Sequence, residues 1–177
     1  MRPFHRLRRF IRDRRGVSAV EFALIAPLMI LMYFGAAELT QAYMAQKRVT
    51  HVASVIADLT SQETALNQGM VDDIFAAGQH ILQPFPAAPL SQRLTSIERR
   101  ANGTTAVLWS RTSGGGAFGA TGSIPLPADV LENGETIIVA EVLYTYTSPI
   151  GDLLPNGVQF DAIYYLRPRL TNRVTCC

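Results

Sequence analysis

The stretch FALIAPLMILMYFGAA, Phe22–Ala37, contains no charged residue and determines how the rest of the chain can be arranged. In the wider segment 17–46 only Glu21 and Glu38 are charged. A helix rises about 1.5 Å per residue, so residues 17–37 would span roughly 31 Å, enough for a bilayer core of about 30 Å. The pattern predicts one transmembrane helix.

Charge is distributed unevenly around this segment. Residues 1–15 contain seven arginines and one acid, Asp13, for a net charge of +6, whereas residues 16–177 carry −4. A basic arm can bind nucleic acid or a membrane surface, but an arm that abuts a membrane helix is better explained by topology. We therefore expect a cytoplasmic N-terminus, a single span, and the chain from about residue 45 onward outside the cytoplasm.

Composition limits the remaining classes of protein. Charged residues make up only 17% of 177, and the mean hydropathy is +0.14, which excludes disorder for most of the chain. The two cysteines are adjacent, at 176 and 177, so neither a disulfide scaffold nor a zinc finger can be built. The length fits one ordinary domain with a short extra segment.

Four other interpretations of the N-terminal segment compete with a functional membrane helix. A cleavable signal peptide would use Gly35–Ala37, but the apolar stretch is long and the helical pattern continues past it. A twin-arginine export signal lacks its expected surroundings, and nucleic-acid binding is a weaker explanation of the arm than topology. A plain signal anchor has no need of Glu21, because a carboxylate costs about 2.5–3.5 kcal/mol at the bilayer centre and less near its edge.

Glu21 therefore indicates a functional site with a partner. It is the fifth residue after Gly16. If the chain were cut after Gly16, Val17 would carry a new α-ammonium group that could pair with Glu21 of a neighbouring chain in a helical bundle. Such a pair would fix the axial register of packed subunits. Pro27 predicts an ordinary kink; the alternative is a flexible point that helps the helix leave the bilayer.

The segment RRGVSAVEFALIAPLMILMYFGAAELTQAYMAQKRV resembles the TadE-like family of the tight-adherence (Tad) pilus system. The shared features are the pattern RRG-x-x-A-V-E-F-A-L-x-x-P, a GxxE step from Gly35 to Glu38, and a following amphipathic helix. The resemblance covers about residues 14–57. The glycine-terminated basic leader, with Glu21 and Phe22 after it, is also similar to that of type IV prepilins and pseudopilins. The stretch YYLRPRL resembles the ends of some longer members.

This resemblance implies a pilin-like protein, a pseudopilin of the TadE/TadG type, needed for assembly of a Tad or Flp type IV pilus and for surface adhesion. A membrane-embedded prepilin peptidase would cut after Gly16, leaving Val17 as the N-terminus, and Glu21 with Phe22 would serve assembly and register. The implied partners are the membrane, the peptidase, other pilins or pseudopilins, and Tad assembly proteins. The chain would span the bacterial inner membrane, with its C-terminal domain periplasmic or in the pilus. The alternative is an uncleaved, signal-anchored envelope domain that binds a ligand or a surface.

The rest of the chain predicts a small α+β domain. Helical spacing continues to about residue 60 and resumes in a second amphipathic helix, where Asp72 and Asp73 suit the first turn. Its apolar face consists of Val71, Ile74, Phe75, Ile81 and Leu82. Prolines at 84, 86 and 89 end it.

Sheet is predicted beyond these prolines. Asn102-Gly103 is a strong hairpin signal, although Leu90, Leu94 and Ile97 before it also have helical spacing. Residues 135–147 alternate as a half-buried strand, and residues 161–167 form a last one. The predicted fold is α+β and pilin-like: a long N-terminal transmembrane helix followed by a small domain with an antiparallel β-sheet. The predicted divisions are 1–16 (basic cytoplasmic leader), 17–60 (transmembrane and extended amphipathic helix) and 61–177 (extracytoplasmic α+β domain).

Catalytic and cofactor motifs are weak. Residues 114–119 satisfy GxGxxG, but the chain continues to Pro125 and Pro127 rather than into a helix, so a flexible loop is predicted instead of a dinucleotide site. The histidines have no metal-ligand spacing, and there is no nucleophile motif. We expect no enzyme activity, cofactor, metal, nucleic acid or small-molecule substrate.

Cys176 and Cys177 leave several alternatives open. Outside the cytoplasm thiols tend to oxidise, and no distant cysteine exists to pair with them. A bond between them would be strained, because adjacent Cα atoms lie 3.8 Å apart and disulfides prefer 4.4–6.8 Å. The choices are a strained vicinal disulfide, an intermolecular bridge, free thiols, or an unordered tail without a role.

Overall fold

The structure, a computed structural model, describes residues 16–121, 124, 126, 130–148 and 157–177. The arginine-rich leader, residues 1–15, lies outside the described residues, as do Pro125 and Pro127. The chain divides into two compact units, Met1–Gln41 and Ala42–Cys177, which are described separately below. The domain divisions drawn from the sequence remain a prediction.

The first helix, α1, comprises Val17–Ser61 and has 45 residues. Its sequence is rich in alanine, leucine and methionine, which lose little side-chain freedom in a helix. Pro27 lies inside it, where the missing N–H removes one backbone hydrogen bond. The boundary between the two compact units falls within α1, after Gln41.

In its described residues the second unit contains one further helix and six strands. The elements after α1 are β1 (Ala65–Leu66), α2 (Gln68–Leu82), β2 (Leu90–Arg99), β3 (Thr105–Ser113), β4 (Thr136–Tyr146), β5 (Val158–Leu166) and β6 (Thr175–Cys176). The four longer strands form an antiparallel sheet in the order β3-β2-β4-β5, and β1 pairs with β6 in parallel. A long apolar helix followed by a small antiparallel sheet domain is the α+β fold that the sequence predicts.

Helix α2 begins earlier than its acidic residues suggested. The Asn67 side chain caps it by accepting a hydrogen bond of 2.9 Å from the Met70 N–H. Because the first helical residue is Gln68, Asp72 and Asp73 lie in the second turn, and their assignment to the first turn was wrong. The buried face consists of Val71, Ile74, Phe75, Gly78 and Leu82.

One face of the sheet is covered by α2 and by the part of α1 that belongs to the second unit. Val49, Val52 and Ile56 of α1 join the same buried cluster as Leu94 and Ile138 of the sheet. Contact is close where Gly78 of α2 passes over β2, because a Cβ at position 78 would collide with the Gln92 side chain.

The opposite face of the sheet is also buried, which corrects the half-buried strand expected at residues 135–147. Ile137 and Val139 of β4 pack with Ile97, Ile124 and Leu131 in a second apolar cluster. Alternate side chains of β4 therefore point into two different apolar clusters, and not into one cluster and solvent. The second cover comes from residues that follow β3, whose position cannot be inferred from strand periodicity.

The hairpin between β2 and β3 turns where it was predicted. Gly103 has a φ of +79°, a left-handed conformation that favours glycine, and its N–H donates a 2.8 Å hydrogen bond to the Arg100 carbonyl. The ambiguous arm before the turn is the central strand β2, paired on both sides. Its helical spacing arises because nearly all of its side chains are buried, so the apolar residues show no strict alternation.

The C-terminal residues are ordered, which contradicts the unordered-tail alternative. Val174 is fully buried, and its carbonyl accepts a 2.8 Å hydrogen bond from the Trp109 Nε1–H. The Arg169 N–H donates a 2.9 Å hydrogen bond to the carbonyl of Ser61. Strand β6 then pairs with β1, so the tail is part of the domain.

Candidate functional site

The first unit presents a long apolar surface that no part of the described chain covers. The most apolar 18-residue stretch of α1 has none of its residues buried. Between Val17 and Phe34 the large exposed side chains are Val17, Val20, Phe22, Leu24, Ile25, Leu28, Met29, Ile30, Leu31, Met32, Tyr33 and Phe34. Removing one such side chain from water is worth about 1.5–3 kcal/mol, so this surface requires an apolar environment.

A membrane is one such environment. Among the described residues, α1 is the one helix long and apolar enough to cross a bilayer. Its apolar side chains lie on all sides of the helix rather than on one stripe, which is the pattern of a helix surrounded by lipid or by other helices. The structure is therefore compatible with a single-pass anchor.

The predicted processing residues lie together at the start of α1. Gly16 immediately precedes the helix and is exposed, and a Cβ built on it meets no atom within 4 Å. Val17 is the first helical residue and is 51% exposed. The peptide bond between them is therefore not enclosed by the described part of the chain.

The predicted assembly residues follow one helical turn later. Glu21 is exposed, and Phe22 beside it is 72% exposed. Among the described residues no cation forms an ion pair with Glu21. Glu21 lies about 6 Å along the helix axis from Val17, because four residues separate them at 1.5 Å each. The only acid in residues 17–37 is thus placed where a neighbouring chain could reach it.

The glycine-rich segment after β3 forms a loop that is fixed to the sheet. The Gly116 N–H donates a 2.7 Å hydrogen bond to the Ser91 hydroxyl. Gly114 has a φ of +89°, and a Cβ there would collide with the Leu90 carbonyl, so both its conformation and its surroundings require glycine. No helix begins within residues 114–119, so the dinucleotide motif lacks its structural context.

A buried ion pair, which the sequence reasoning missed, explains how this loop is fixed. Arg93 of β2 donates from Nη2 to Glu141 of β4 at 2.7 Å, and a second bond runs from Nε to the same carboxylate. Its Nη1 reaches the carbonyl of Gly119, and the guanidinium lies 4.8 Å from the centre of the Phe118 ring. Half of the signal was present in the sequence: Glu141 interrupts the apolar run of β4, whereas Arg93 lies among polar residues in β2 and does not stand out.

Further arginines fix the C-terminal residues to the domain. Arg167 pairs with Glu135 at 3.0 Å and donates to the carbonyl of Val130 at 2.8 Å. Arg169 and Arg173 pair with Asp58 and Glu98. The stretch YYLRPRL therefore contributes to the packing of the second unit.

The two cysteines occupy different environments at the end of β6. Cys176 is half-buried against the main apolar cluster, whereas Cys177 is exposed, and both are free thiols. Their sulfur atoms are 2.9 Å apart. Burial raises the pKa of Cys176 to about 11, whereas the hydrogen bond from the Cys176 thiol lowers the pKa of Cys177 below its ordinary value. The positive charge of Arg111 lowers the pKa of Cys177 further.

Comparison with known proteins supports the family resemblance of the first part of the chain. A family model described as TadE-like protein matches residues 16–58, the segment on which the resemblance was based. Residues 16–58, which make up most of α1, are therefore similar to TadE-like proteins. No curated protein and no solved structure matches the chain.

Within the described residues no group of three or more His, Cys, Asp or Glu side chains could hold a metal ion.

Proposed function

Because residues 16–58 match the TadE-like family, we propose that this protein is a pseudopilin, a pilin-like component needed for assembly of a Tad-type pilus and for surface adhesion. It acts through helix packing and not through catalysis. Its partners are the lipid bilayer, a prepilin peptidase, other pilins or pseudopilins, and Tad assembly proteins. It spans the bacterial inner membrane once, with the N-terminus in the cytoplasm and the second unit in the periplasm or in the pilus.

The observation that carries this proposal is the exposed apolar surface of α1 with a single acid near its start. A mere anchor would lie in lipid without needing Glu21, since an intramembrane carboxylate is costly. A bundle of similar helices would cover the apolar side chains and offer the acid a partner. Helix packing then supplies van der Waals contact, and the charge determines which axial position the helices take.

Cleavage after Gly16 would create a cationic partner for Glu21, which forms no ion pair with any described residue. The new ammonium group of Val17 would sit at the positive end of the α1 dipole, where a cation is unfavourable. A carboxylate from a neighbouring helix would pair with this ammonium group. The pairing would offset both the unfavourable dipole interaction of the ammonium group and the desolvation cost of the carboxylate. Two adjacent chains staggered by about one helical turn would bring Val17 of one near Glu21 of the other.

Processing is tested by mass analysis of the mature N-terminus in the native host, with and without its prepilin peptidase. We expect a chain that begins at Val17 only when the peptidase is present. Gly16→Val should abolish this cleavage, whereas Gly35→Val, a glycine that also has no atom within 4 Å of a built Cβ, should leave it unchanged. A chain that begins at Glu38 would instead indicate a secreted protein. An intact chain would favour the uncleaved, signal-anchored domain.

The role of Glu21 is tested by Glu21→Ala and Glu21→Gln in cells that assemble the pilus. Both variants should insert into the membrane and be cleaved, yet reduce piliation and adhesion severely, because the charge that sets the register is lost. Glu132→Gln, an exposed acid of the second unit, serves as the control and should be silent. Normal pili from both Glu21 variants would exclude the proposed role.

A further inference from the structure

The two outer strands of the four-stranded sheet, β3 and β5, differ in how their outer edges are protected. An outer edge carries unpaired N–H and C=O groups that can bind a further strand, and proteins usually protect it with a bulge, a proline or a basic side chain. In β3 the pairing with β2 shifts by one residue, so Leu108 lies between Val107 and Trp109 without an opposite residue. This bulge interrupts the edge of β3.

Strand β5 has none of these protective features. Its sequence, VQFDAIYYL, contains no proline, lysine or arginine, and its one charged residue is Asp161. Its 9 residues pair with β4 without a register shift, so the strand is regular over roughly 30 Å. Within the described part of the chain no strand pairs with its outer edge. The edge therefore offers a regular row of backbone donors and acceptors to another strand.

Apolar side chains of β5 are exposed on both faces of this edge. Ile163 is 38% exposed and Tyr164 is 40% exposed. Tyr164 lies on the face of the main apolar cluster, because Ala162 and Leu166 of the same strand pack there. Ile163 therefore lies on the opposite face. A strand added beside β5 would place side chains against both residues.

A cavity of about 220 Å³ lies against β5 on the face of Ile163. Its lining residues include Phe118 of the glycine-rich segment, Leu143 of β4 and Asp161 of β5. It is smaller than the about 300–1,000 Å³ of typical small-molecule sites, so it suits a single side chain.

The cavity matches a positively charged side chain. Asp161 is exposed, and none of the ion pairs among the described residues involves it. Glu141 also lines the cavity, but both of its oxygens accept hydrogen bonds from Arg93. A cation in the cavity would therefore pair with Asp161, and partial shielding from water would make that pair stronger than one on an open surface.

We propose that β5 is the binding site for an extended segment of another protein, which adds to the sheet as a further strand and places a lysine or arginine beside Asp161. Backbone hydrogen bonds to β5 supply affinity, and alternate side chains supply specificity. The partner segment carries its basic residue on the face of the cavity and apolar residues on the face of Tyr164. This inference goes beyond the proposed function, since it concerns the second unit and does not require cleavage after Gly16.

A second copy of β5 is a poorer occupant of the same edge. Because β5 contains no cation, its self-pairing would bring two Asp161 carboxylates to one interface without a positive partner. Like charges on neighbouring strands are destabilising. A segment with a basic residue replaces this repulsion by an attraction and so is favoured by charge complementarity.

Binding is tested on purified full-length protein in detergent, with dye-labelled peptides that match the 9 residues of β5 in length. The probe has valine at the even positions, lysine at the centre and threonine at the other odd positions, and a matched peptide has glutamate at the centre. Fluorescence anisotropy should show saturable binding of the lysine peptide and at least about tenfold weaker binding of the glutamate peptide. No saturable binding, or equal binding of both peptides, would overturn the proposal.

Two matched variants determine which edge binds the peptide. Ile163→Lys adds a cation to β5 and should weaken binding of the lysine peptide at least about tenfold. Val107→Lys adds the same charge to β3, at a residue that is 39% exposed against 38% for Ile163, and should leave binding unchanged. Urea midpoints show that both variants are folded. Equal effects of the two variants would contradict a site on β5.

The role of the carboxylate is tested in the same assay. Asp161→Asn should remove the preference for the lysine peptide over the glutamate peptide, because the neutral amide attracts no cation. Glu132→Gln, at an exposed acid outside the cavity, should retain that preference. A preference that persists in Asp161→Asn would exclude the proposed pairing.

Hydrogen exchange of the β5 amides shows whether the edge is open. In the protein alone the outward-pointing amides should exchange fast, and the lysine peptide should slow their exchange at least about tenfold. Slow exchange without peptide would show that another part of this chain covers the edge. A dimer that Ile163→Lys dissociates would show that a second copy occupies it, and either result would overturn the proposal. Cleavage after Gly16 is measured separately, so failed binding would leave the proposed function standing.

Discussion

The two compact units of this chain handle apolar surface in opposite ways. In residues 17–41 nearly every large apolar side chain is exposed. In residues 42–177 both faces of the sheet are buried, in two separate clusters. The second unit therefore buries its own apolar side chains, whereas the apolar side chains of the first require other molecules to cover them.

The two units also differ in how their charged side chains are paired. In the second unit Arg93, Arg167, Arg169 and Arg173 each have a carboxylate partner within the chain. In the first unit Glu21 pairs with no cation among the described residues. A substitution in one unit should therefore change folding stability, and a substitution in the other should change membrane insertion or assembly.

The largest effect is expected from breaking the buried ion pair. Arg93→Met leaves the Glu141 carboxylate buried without its partner, and we expect a loss of about 3–5 kcal/mol in the free energy of unfolding. The double variant Arg93→Met/Glu141→Met should recover much of this loss. Urea denaturation followed by tryptophan fluorescence measures both, since Trp109 lies in the domain core. A double variant no more stable than the single one would contradict this account.

The sharpest test of the contrast is a charge placed in the first unit. Met29→Arg puts an arginine inside the apolar stretch, and we expect membrane insertion to become less favourable by about 2.5–3.5 kcal/mol. The urea midpoint of the second unit should stay the same. Insertion can be followed by extraction of membranes with alkaline carbonate, and Gln41→Arg, near the end of the first unit, serves as a milder control.

A smaller effect is expected where the C-terminal residues meet β3. Trp109→Phe keeps most of the apolar volume but removes the N–H that bonds to the Val174 carbonyl. We expect a loss of about 1–3 kcal/mol, because a buried acceptor is left without its donor. Faster proteolysis after residue 167 should accompany it. Equal stability and equal protease resistance would show that the tail is held by packing alone.

The smallest effect is expected at the surface. Arg173 and Glu98 form an ion pair whose arginine is 49% exposed, so Arg173→Gln should cost no more than about 1 kcal/mol. Comparison of thermal midpoints at low and high salt would measure it. If Arg173→Gln lowered the free energy of unfolding as much as Arg93→Met does, the expected difference between buried and exposed ion pairs would be wrong.

Local signals in the sequence predicted those elements whose causes are local. The start of α1 follows from an uncharged apolar run, and the turn at Gly103 follows from the freedom of glycine at positive φ. The same apolar segment places the start of α1 directly after Gly16, and so places Glu21 near the start of the helix. These features need no information from distant residues.

The features that were missed depend on distant partners. Burial of both faces of β4 requires residues such as Ile124 and Leu131, which belong to no regular element. The Arg93–Glu141 pair joins residues 48 positions apart, and the order of the tail depends on Trp109. Strand and helix periodicities describe a residue's own element, so they cannot show which segment covers it.

The pairing of β1 with β6 has a consequence for the order of events during biogenesis. Ala65 and Thr175 are about 110 residues apart, and closing a contact of such sequence separation slows folding. In the proposed topology the N-terminus stays in the cytoplasm and the second unit crosses the membrane in chain order, so β1 emerges long before β6. In that topology the domain cannot complete its β1–β6 pairing until its last residues have crossed.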